Sequence, residues 1–262
     1  MIRLKNVVKR FGNGMTAVDD LSFSVQEGEI FAFLGPNGAG KTTTIRMLTT
    51  LLRPTSGTVE LNGVNCVTEK QEARKQFGVV FQDPSLDQDL TANENMRLHA
   101  VLYHVPPAAR VERTERLLRL FDLWERRNVV VKNFSGGMKR RLEIARGLLH
   151  TPKILFMDEP TLGLDPHSRN QLWLQVGQLN VTDKVTVFLT THYMEEAERF
   201  AHRIGIIDGG KVVSMGSPIE LKEQTNSQSL EEAFLRLTGH SIRNDDADGS
   251  ADDRNMASLW RK

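Results

Sequence analysis

Residues 35–43 read GPNGAGKTT, which places Gly35, Gly40, Lys41 and Thr42 at the spacing G-x-x-x-x-G-K-[ST]. Such a loop constrains both its flanks: a strand must feed it and a helix must leave it. The run Ile30-Phe31-Ala32-Phe33-Leu34 is short and wholly apolar, as a buried strand is, and residues 44–52 carry an apolar helical face. Gly35, Gly38 and Gly40 let the backbone curl until several N–H groups point inward at a phosphate. The following helix adds the positive end of its dipole. Lys41 has the length to reach β- and γ-phosphates, and the Thr42 hydroxyl is a hard oxygen ligand for Mg²⁺. An ordinary glycine-rich turn before a helix would explain the glycines alone.

Strands and helices alternate along the chain. Leu21, Phe23 and Val25 alternate with serines, a period of two, after an earlier strand begun by Ile2, Leu4 and Val7. Phe11 sits between them, available either to a core or to the flat face of a nucleotide base. Residues 58–61 and then Asn62-Gly63 read as a strand and a tight turn. Short apolar runs at residues 78–81, 153–157, 185–189 and 204–207 read as buried strands. Alternation of this kind implies an α/β fold with a mostly parallel sheet, which binds ligands at the carboxyl ends of its strands. Gly35, Gln82, Asp158 and His192 each follow such a strand end, so four candidates converge on one edge.

Residues 83–133 break the alternation. Helices are expected over residues 90–103 and from 108 to about 127, the second started by Pro106-Pro107, with Val111, Leu117, Leu118, Leu120, Phe121 and Trp124 as its apolar stripe. Its arginines at 110, 113, 116 and 119 read as a solvated face. Ser135-Gly136-Gly137 then precedes a helix expected over residues 138–149, a second arrangement fit for an anion. Two such noses in one chain suggest a head-to-tail dimer in which one copy closes over a nucleotide held by the other. Asp165-Pro166 is a helix start, and residues 229–239 read as a final helix ended by Gly239.

An apolar strand ending in an acid, as residues 154–158 do, places Asp158 to hold Mg²⁺ and the adjacent Glu159 to activate water. Taken singly, Asp158 could be a capping acid, Gln82 an exposed loop amide and His192 a surface histidine. Their joint occurrence with the glycine loop favours chemistry. The single cysteine, Cys66, excludes an internal disulfide and a cysteine metal cluster. A formal net charge of +1 gives no reason to expect nucleic acid. No run is long enough to span a bilayer and the first residues lack a signal-peptide core, so a cytosolic protein is expected, with any membrane role through a partner. Residues 244–253 are acidic and almost without apolar side chains, and the tail 240–262 that contains them is expected to be disordered.

In this order, GPNGAGKTT, FQDP, FSGGM, ILFMDEPTLGLD and TTHYMEEAE resemble the ATP-binding subunit of an ABC transporter over about residues 2–239. The longer strings FSGGMKRRLEIARGLLHTPKILFMDEPTLGLDPHSR and SLEEAFLRLTG are similar to ATPases of the ABC-2, daunorubicin-resistance and nodulation-export type. The resemblance implies a P-loop NTPase (RecA-like) core, an N-terminal antiparallel β subdomain, and a helical subdomain at residues 83–133 extended by the signature region to about 150. It implies ATP and Mg²⁺ as ligands. The phosphate loop comprises Gly35, Asn37, Gly38, Ala39, Gly40, Lys41, Thr42 and Thr43, and Phe11 stacks on adenine. Gln82 is the Q-loop residue, Ser135, Gly136 and Gly137 the signature, Asp158 and Glu159 the Walker B pair, Asp165 the D-loop aspartate and His192 the switch histidine. Phe134 and Met138 stand where the family more often has Leu and Gln. The implied partners are a second copy of the chain and a separate integral-membrane permease, which would hold the subunit at the inner face of the cell membrane. The alternatives are a soluble ATPase of the same family acting mechanically on nucleic acid or ribosomes, and a non-hydrolysing regulatory subunit.

Overall fold

In the computed structural model the described residues are 1–239, so the acidic segment 240–262 lies outside them. The chain opens with an antiparallel pair, β1 (Ile2–Arg10) and β2 (Thr16–Val25), and continues into β3 (Ile30–Leu34) and α1 (Lys41–Leu48). β4 (Ser56–Leu61) and β5 (Val64–Asn65) follow, joined by Asn62 and Gly63, both at positive φ as a tight hairpin turn requires. α2 (Lys70–Lys75) leads to β6 (Phe77–Val80). Next come α3 (Ala92–Leu102), α4 (Pro107–Leu120) and α5 (Gly136–Gly147). β7 (Ile154–Asp158), α6 (Pro166–Asp183), β8 (Thr186–Thr190) and α7 (Met194–Phe200) restore the alternation. β9 (Arg203–Asp208), β10 (Lys211–Gly216), α8 (Pro218–Thr225) and α9 (Leu230–Thr238) complete it.

The strands form two sheets, a four-stranded antiparallel one in the order β2-β1-β4-β5 and a six-stranded one in the order β10-β9-β3-β8-β7-β6. In the larger sheet only β10 runs antiparallel to its neighbour. Successive side chains on a strand point to opposite faces, and this divides the core. Phe31, Phe33, Phe156 and Phe188 face the smaller sheet and α1, where they meet Phe23 and Phe77 at ring separations such as 5.6 Å for Phe23–Phe31 and 5.5 Å for Phe77–Phe156. Ala32, Leu34, Leu155, Met157, Val187 and Leu189 face the other way, into a cluster shared with α3, α4, α5, α6 and α9. Each buried Phe or Leu contributes roughly 1.5–3 kcal/mol, so the six-stranded sheet is a rigid platform held from both sides.

Three expectations for the helical segment need correction. The helix expected to reach about residue 127 stops at Leu120, and the chain resumes as a 3₁₀ turn at Trp124–Arg126. Asp122 takes a left-handed conformation (φ 53°), and the Leu123 N–H donates to the Leu118 carbonyl at 2.7 Å. That closes the helix in the way glycine ordinarily does. Val111 is 76% exposed and lies outside the apolar stripe, which is carried by Leu117, Leu118 and Phe121, while Thr114 takes the inward place one turn on. The arginine face is not merely solvated: Arg110 donates to the Val105 carbonyl, Arg113 to that of Leu149, and Arg116 pairs with Asp183. α8, with its capping box of Ser217 and Glu220, and β10 were not anticipated from the pattern.

Candidate active site

Four parallel strands end at one edge of the sheet. Gly35 follows β3 directly, Gln82 stands two residues past β6, Asp158 closes β7, and His192 comes two residues after β8. The convergence expected from the sequence is therefore present.

The glycine loop is buttressed from behind. A Cβ on Gly35 would lie 2.3 Å from the Ile207 carbonyl oxygen, and one on Gly40, whose φ is 106°, would lie 2.5 Å from that of Ala17. No larger residue fits either place. The Ala39 carbonyl accepts from the Gly210 N–H, so the β9–β10 turn supports the loop. Asn37 and Gly38 are exposed, Ala39 is buried, and Thr42 and Thr43 are half-buried. No side chain caps α1, whereas Thr91, Ser135, Asp165, Ser217 and Ser229 cap their helices. Its first amides and dipole are thus open to an anion. Lys41 is only 8% exposed, and its Nζ donates to the carbonyls of Gly35 at 2.8 Å and Pro36 at 3.2 Å. Burial pulls the Lys41 ammonium below its usual range, against the nearby charges of Glu159 and Asp158.

Asp158 is 3% exposed and accepts a hydrogen bond from the Thr190 hydroxyl. Burial raises its carboxyl above the ordinary value, opposed by hydrogen bonds from Thr190 and Thr42 and by the Lys41 charge. Glu159 has left-handed backbone (φ 47°), unusual for a non-glycine residue, and its N–H donates to Thr190 O at 3.2 Å and Thr190 Oγ1 at 3.1 Å. The two neighbouring carboxylates thus have different partners, Thr190 for Asp158 and His192 for Glu159. One Glu159 oxygen, Oε2, lies 2.9 Å from His192 Nδ1.

Gln82 has an exposed side chain, while its carbonyl accepts from Arg140 at 3.3 Å. Ser135 caps α5 by accepting from the Met138 N–H at 3.2 Å, and Gly136 is exposed. Gly137 abuts α6, where a Cβ would meet Ser168 Oγ at 2.6 Å. Among the described residues no hydrogen bond joins Ser135, Gly136 or Gly137 to the glycine loop. Asp165 caps α6, accepting from the Ser168 N–H at 2.9 Å and its hydroxyl at 2.6 Å, which holds its carboxyl below the usual range. Phe11 is half-buried, belongs to neither core cluster, and has Lys9 Nζ 5.3 Å from its ring centre. Beyond the expected set, Thr190, Thr161 and Arg140 take part. Thr161 donates to the buried Glu196 at 2.7 Å, and Arg140 reaches three backbone carbonyls of the site. A charged trio at 140, 143 and 146 on one helix face was the only sequence hint of the last.

Residues 18–162 match the family described as ABC transporter. The daunorubicin/doxorubicin resistance ATP-binding protein of Streptomyces peucetius is 44% identical over 229 residues, covering 87% of this chain and 69% of that protein. The Nod factor export ATP-binding protein I of Ralstonia nicotianae is 42% identical over 221 residues, covering 84% and 68%. A solved ATP-binding subunit of an ABC transporter superposes with a TM-score of 0.81 at 31% identity, covering 90% of this chain and 99% of that one. A dimeric ATP-binding cassette in a post-hydrolysis state, bound to ADP and Pi, gives 0.74 at 30% identity, covering 83% and 98%. The ordered motifs, the two-sheet fold and these likenesses agree: the chain belongs to the ABC transporter family, as one of its ATP-binding and ATP-hydrolysing subunits.

Proposed function

We propose that this ATPase powers an exporter of the drug, lipid or polysaccharide class, as two copies closing head to tail over two MgATP. The observation that carries the reading is the edge itself, where buried Lys41 and Asp158 flank Glu159, and Glu159 meets His192 at 2.9 Å. The names of the relatives, resistance to daunorubicin and export of Nod factor, support the exporter class. The dimeric neighbour supports the paired state.

In this reading residues 2–239 are one ATPase domain with 83 to about 150 as its helical subdomain. Gly35, Asn37, Gly38, Ala39, Gly40, Lys41, Thr42 and Thr43 hold the phosphates, and Phe11 stacks on adenine. Glu159 takes a proton from the attacking water, and His192 orients it and contacts the γ-phosphate. Ser135, Gly136, Gly137 and Asp165 of the facing copy complete the site. Thr42 and Asp158 offer hard oxygens, and with Gln82 they would hold Mg²⁺. One carboxylate suits a metal that takes its remaining ligands from water and phosphates. The ion would supply charge neutralisation for the phosphates.

No helix among the described residues is long and apolar enough to cross a membrane. In this reading the permease is a separate chain that holds this subunit at the inner face of the membrane. Leu98, Leu102 and Val111, 49%, 63% and 76% exposed on α3 and α4, support that segment as the permease-facing surface. The test is to identify the adjacent reading frame and, where it encodes a six-span membrane protein, to co-express the two. Co-purification and permease-stimulated ATP hydrolysis in proteoliposomes are expected. A chain that stays unpartnered, or is stimulated by DNA or ribosomes instead, would overturn the reading.

A further inference from the structure

Arg140 lies in the second turn of α5 and is 7% exposed. Its Nη1 donates to the Phe81 carbonyl at 2.6 Å and to Glu143 Oε2 at 3.1 Å, and its Nη2 to the carbonyls of Gln82 at 3.3 Å and Glu159 at 3.4 Å. One guanidinium thus joins three stretches of chain: the end of β6, the end of β7 and the helix that begins at Ser135. The planar fork of arginine makes this a fixed geometry, not a loose charge contact. Burial strengthens each bond and makes any unpaired carbonyl costly.

The rest of α5 is held along the same segment. Glu143 Oε1 accepts from the Ser85 N–H at 2.7 Å, and Arg146 Nη1 donates to the Ser85 carbonyl at 2.8 Å. At the far end a Cβ on Gly78 would lie 2.3 Å from the Gly147 carbonyl, so helix and strand touch through backbone. α5 and residues 78–85 are therefore one body. Glu159 is the other side of the clamp. Its left-handed backbone is a strained conformation for a residue with a side chain, and it persists only where neighbours fix it. Thr190 holds its N–H and Arg140 holds its carbonyl.

We propose that Arg140 is a positioning residue that makes the Ser135–Gly137 nose of α5 and the Gln82–Glu159 pair move as a unit. A shift of the nose, on meeting the nucleotide of the facing copy, is then delivered to the water-activating residue of its own site. The two sites of the pair hydrolyse in concert for that reason. The inference rests on the roles proposed above for Ser135, Gln82 and Glu159.

The test compares wild type with R140M and R140K in three measurements: affinity for a fluorescent ATP analogue, steady-state turnover against ATP concentration, and thermal melting. Expected for R140M is affinity within about twofold of wild type, turnover down at least about tenfold, and a Hill coefficient falling from about 2 to about 1. R140K, with a point charge unable to fork, is expected between the two. Wild-type turnover and cooperativity in R140M would overturn the proposal, as would losses that merely track the folded fraction. If R140M does not fold, R140K decides: unchanged turnover at unchanged affinity overturns it. A wild-type protein that fails to hydrolyse ATP would instead remove the reading on which the proposal rests.

Discussion

His192 Nδ1 lies 2.9 Å from Glu159 Oε2, so the residue read as the water activator and the one read as the phosphate sensor hold each other. Removing the carboxylate charge while keeping its shape should stop chemistry and spare binding. Glu159→Gln is expected to lower turnover by about 10²–10⁴-fold with ATP affinity retained, and to accumulate an ATP-bound dimer. Size-exclusion chromatography with MgATP checks it, and a profile that stays monomeric counts against the paired state.

Lys41 is buried and already donates to two carbonyls of its own loop, so it is preset for the place where phosphate oxygens are expected. A hydrogen bond to a charged group is worth about 1.5–3 kcal/mol. Lys41→Ala should therefore weaken ATP binding by roughly 10- to 100-fold in a fluorescence titration. Unchanged affinity would mean that the loop is not the phosphate cradle.

Local signals were legible in the sequence, and long-range ones were not. The glycine loop, the Asn62-Gly63 turn and the Asp165-Pro166 start of α6 are each written in a few adjacent residues, and all are present in the structure. The carboxyl-edge convergence followed from alternation alone. Asp122 misled because a polar residue in a helical pattern does not announce a left-handed stop. The Ser217-Pro218 start of α8 carried readable capping signals. Arg140 was out of reach because its carbonyl partners, at 81, 82 and 159, come from segments that only the folded sheet brings together. The tight fit of Gly35 against Ile207 is of the same kind.

The helical segment should show an acid weakness. His99, Tyr103 and His150 stack in a row, with ring centres 4.4 and 4.3 Å apart. Burial first, then the positive charges of Arg146 and His150, push the His99 imidazole down to about 3 from 6.5. The unfolded ring gains a proton near 6.5 while the folded ring resists it. Its contribution to stability is therefore whole above that pH and drains away between 6.5 and 3. At pH 5 the loss is about 2 kcal/mol. Urea unfolding at pH 7.5 and 5 should show wild type losing that much more than His99→Phe, since the carboxylates are common to both. Equal losses would sink the assignment.

Cys66 gives a readout of the phosphate-loop helix without any substitution. It is the only thiol in the sequence, is 2% exposed, and its Sγ lies 3.6 Å from the carbonyl of Leu48, the last residue of α1. Burial, with a smaller push from Glu60, raises the thiol to about 12. Only the thiolate attacks a disulfide reagent, so at pH 8 roughly one molecule in 10⁴ would be reactive even if the reagent could enter. The native protein should therefore give no fast phase with an aromatic disulfide, and one thiol per chain after denaturation. Labelling that does occur must pass through opening of the α1 region. A ligand that binds only the closed form suppresses such opening by mass action. At about 100 times its dissociation constant, ATP should slow labelling by about 100-fold if opening abolishes the site. A burst of one thiol per native chain would show the helix end to be open. A labelling rate indifferent to ATP would place the opening elsewhere than in the helix that carries Lys41.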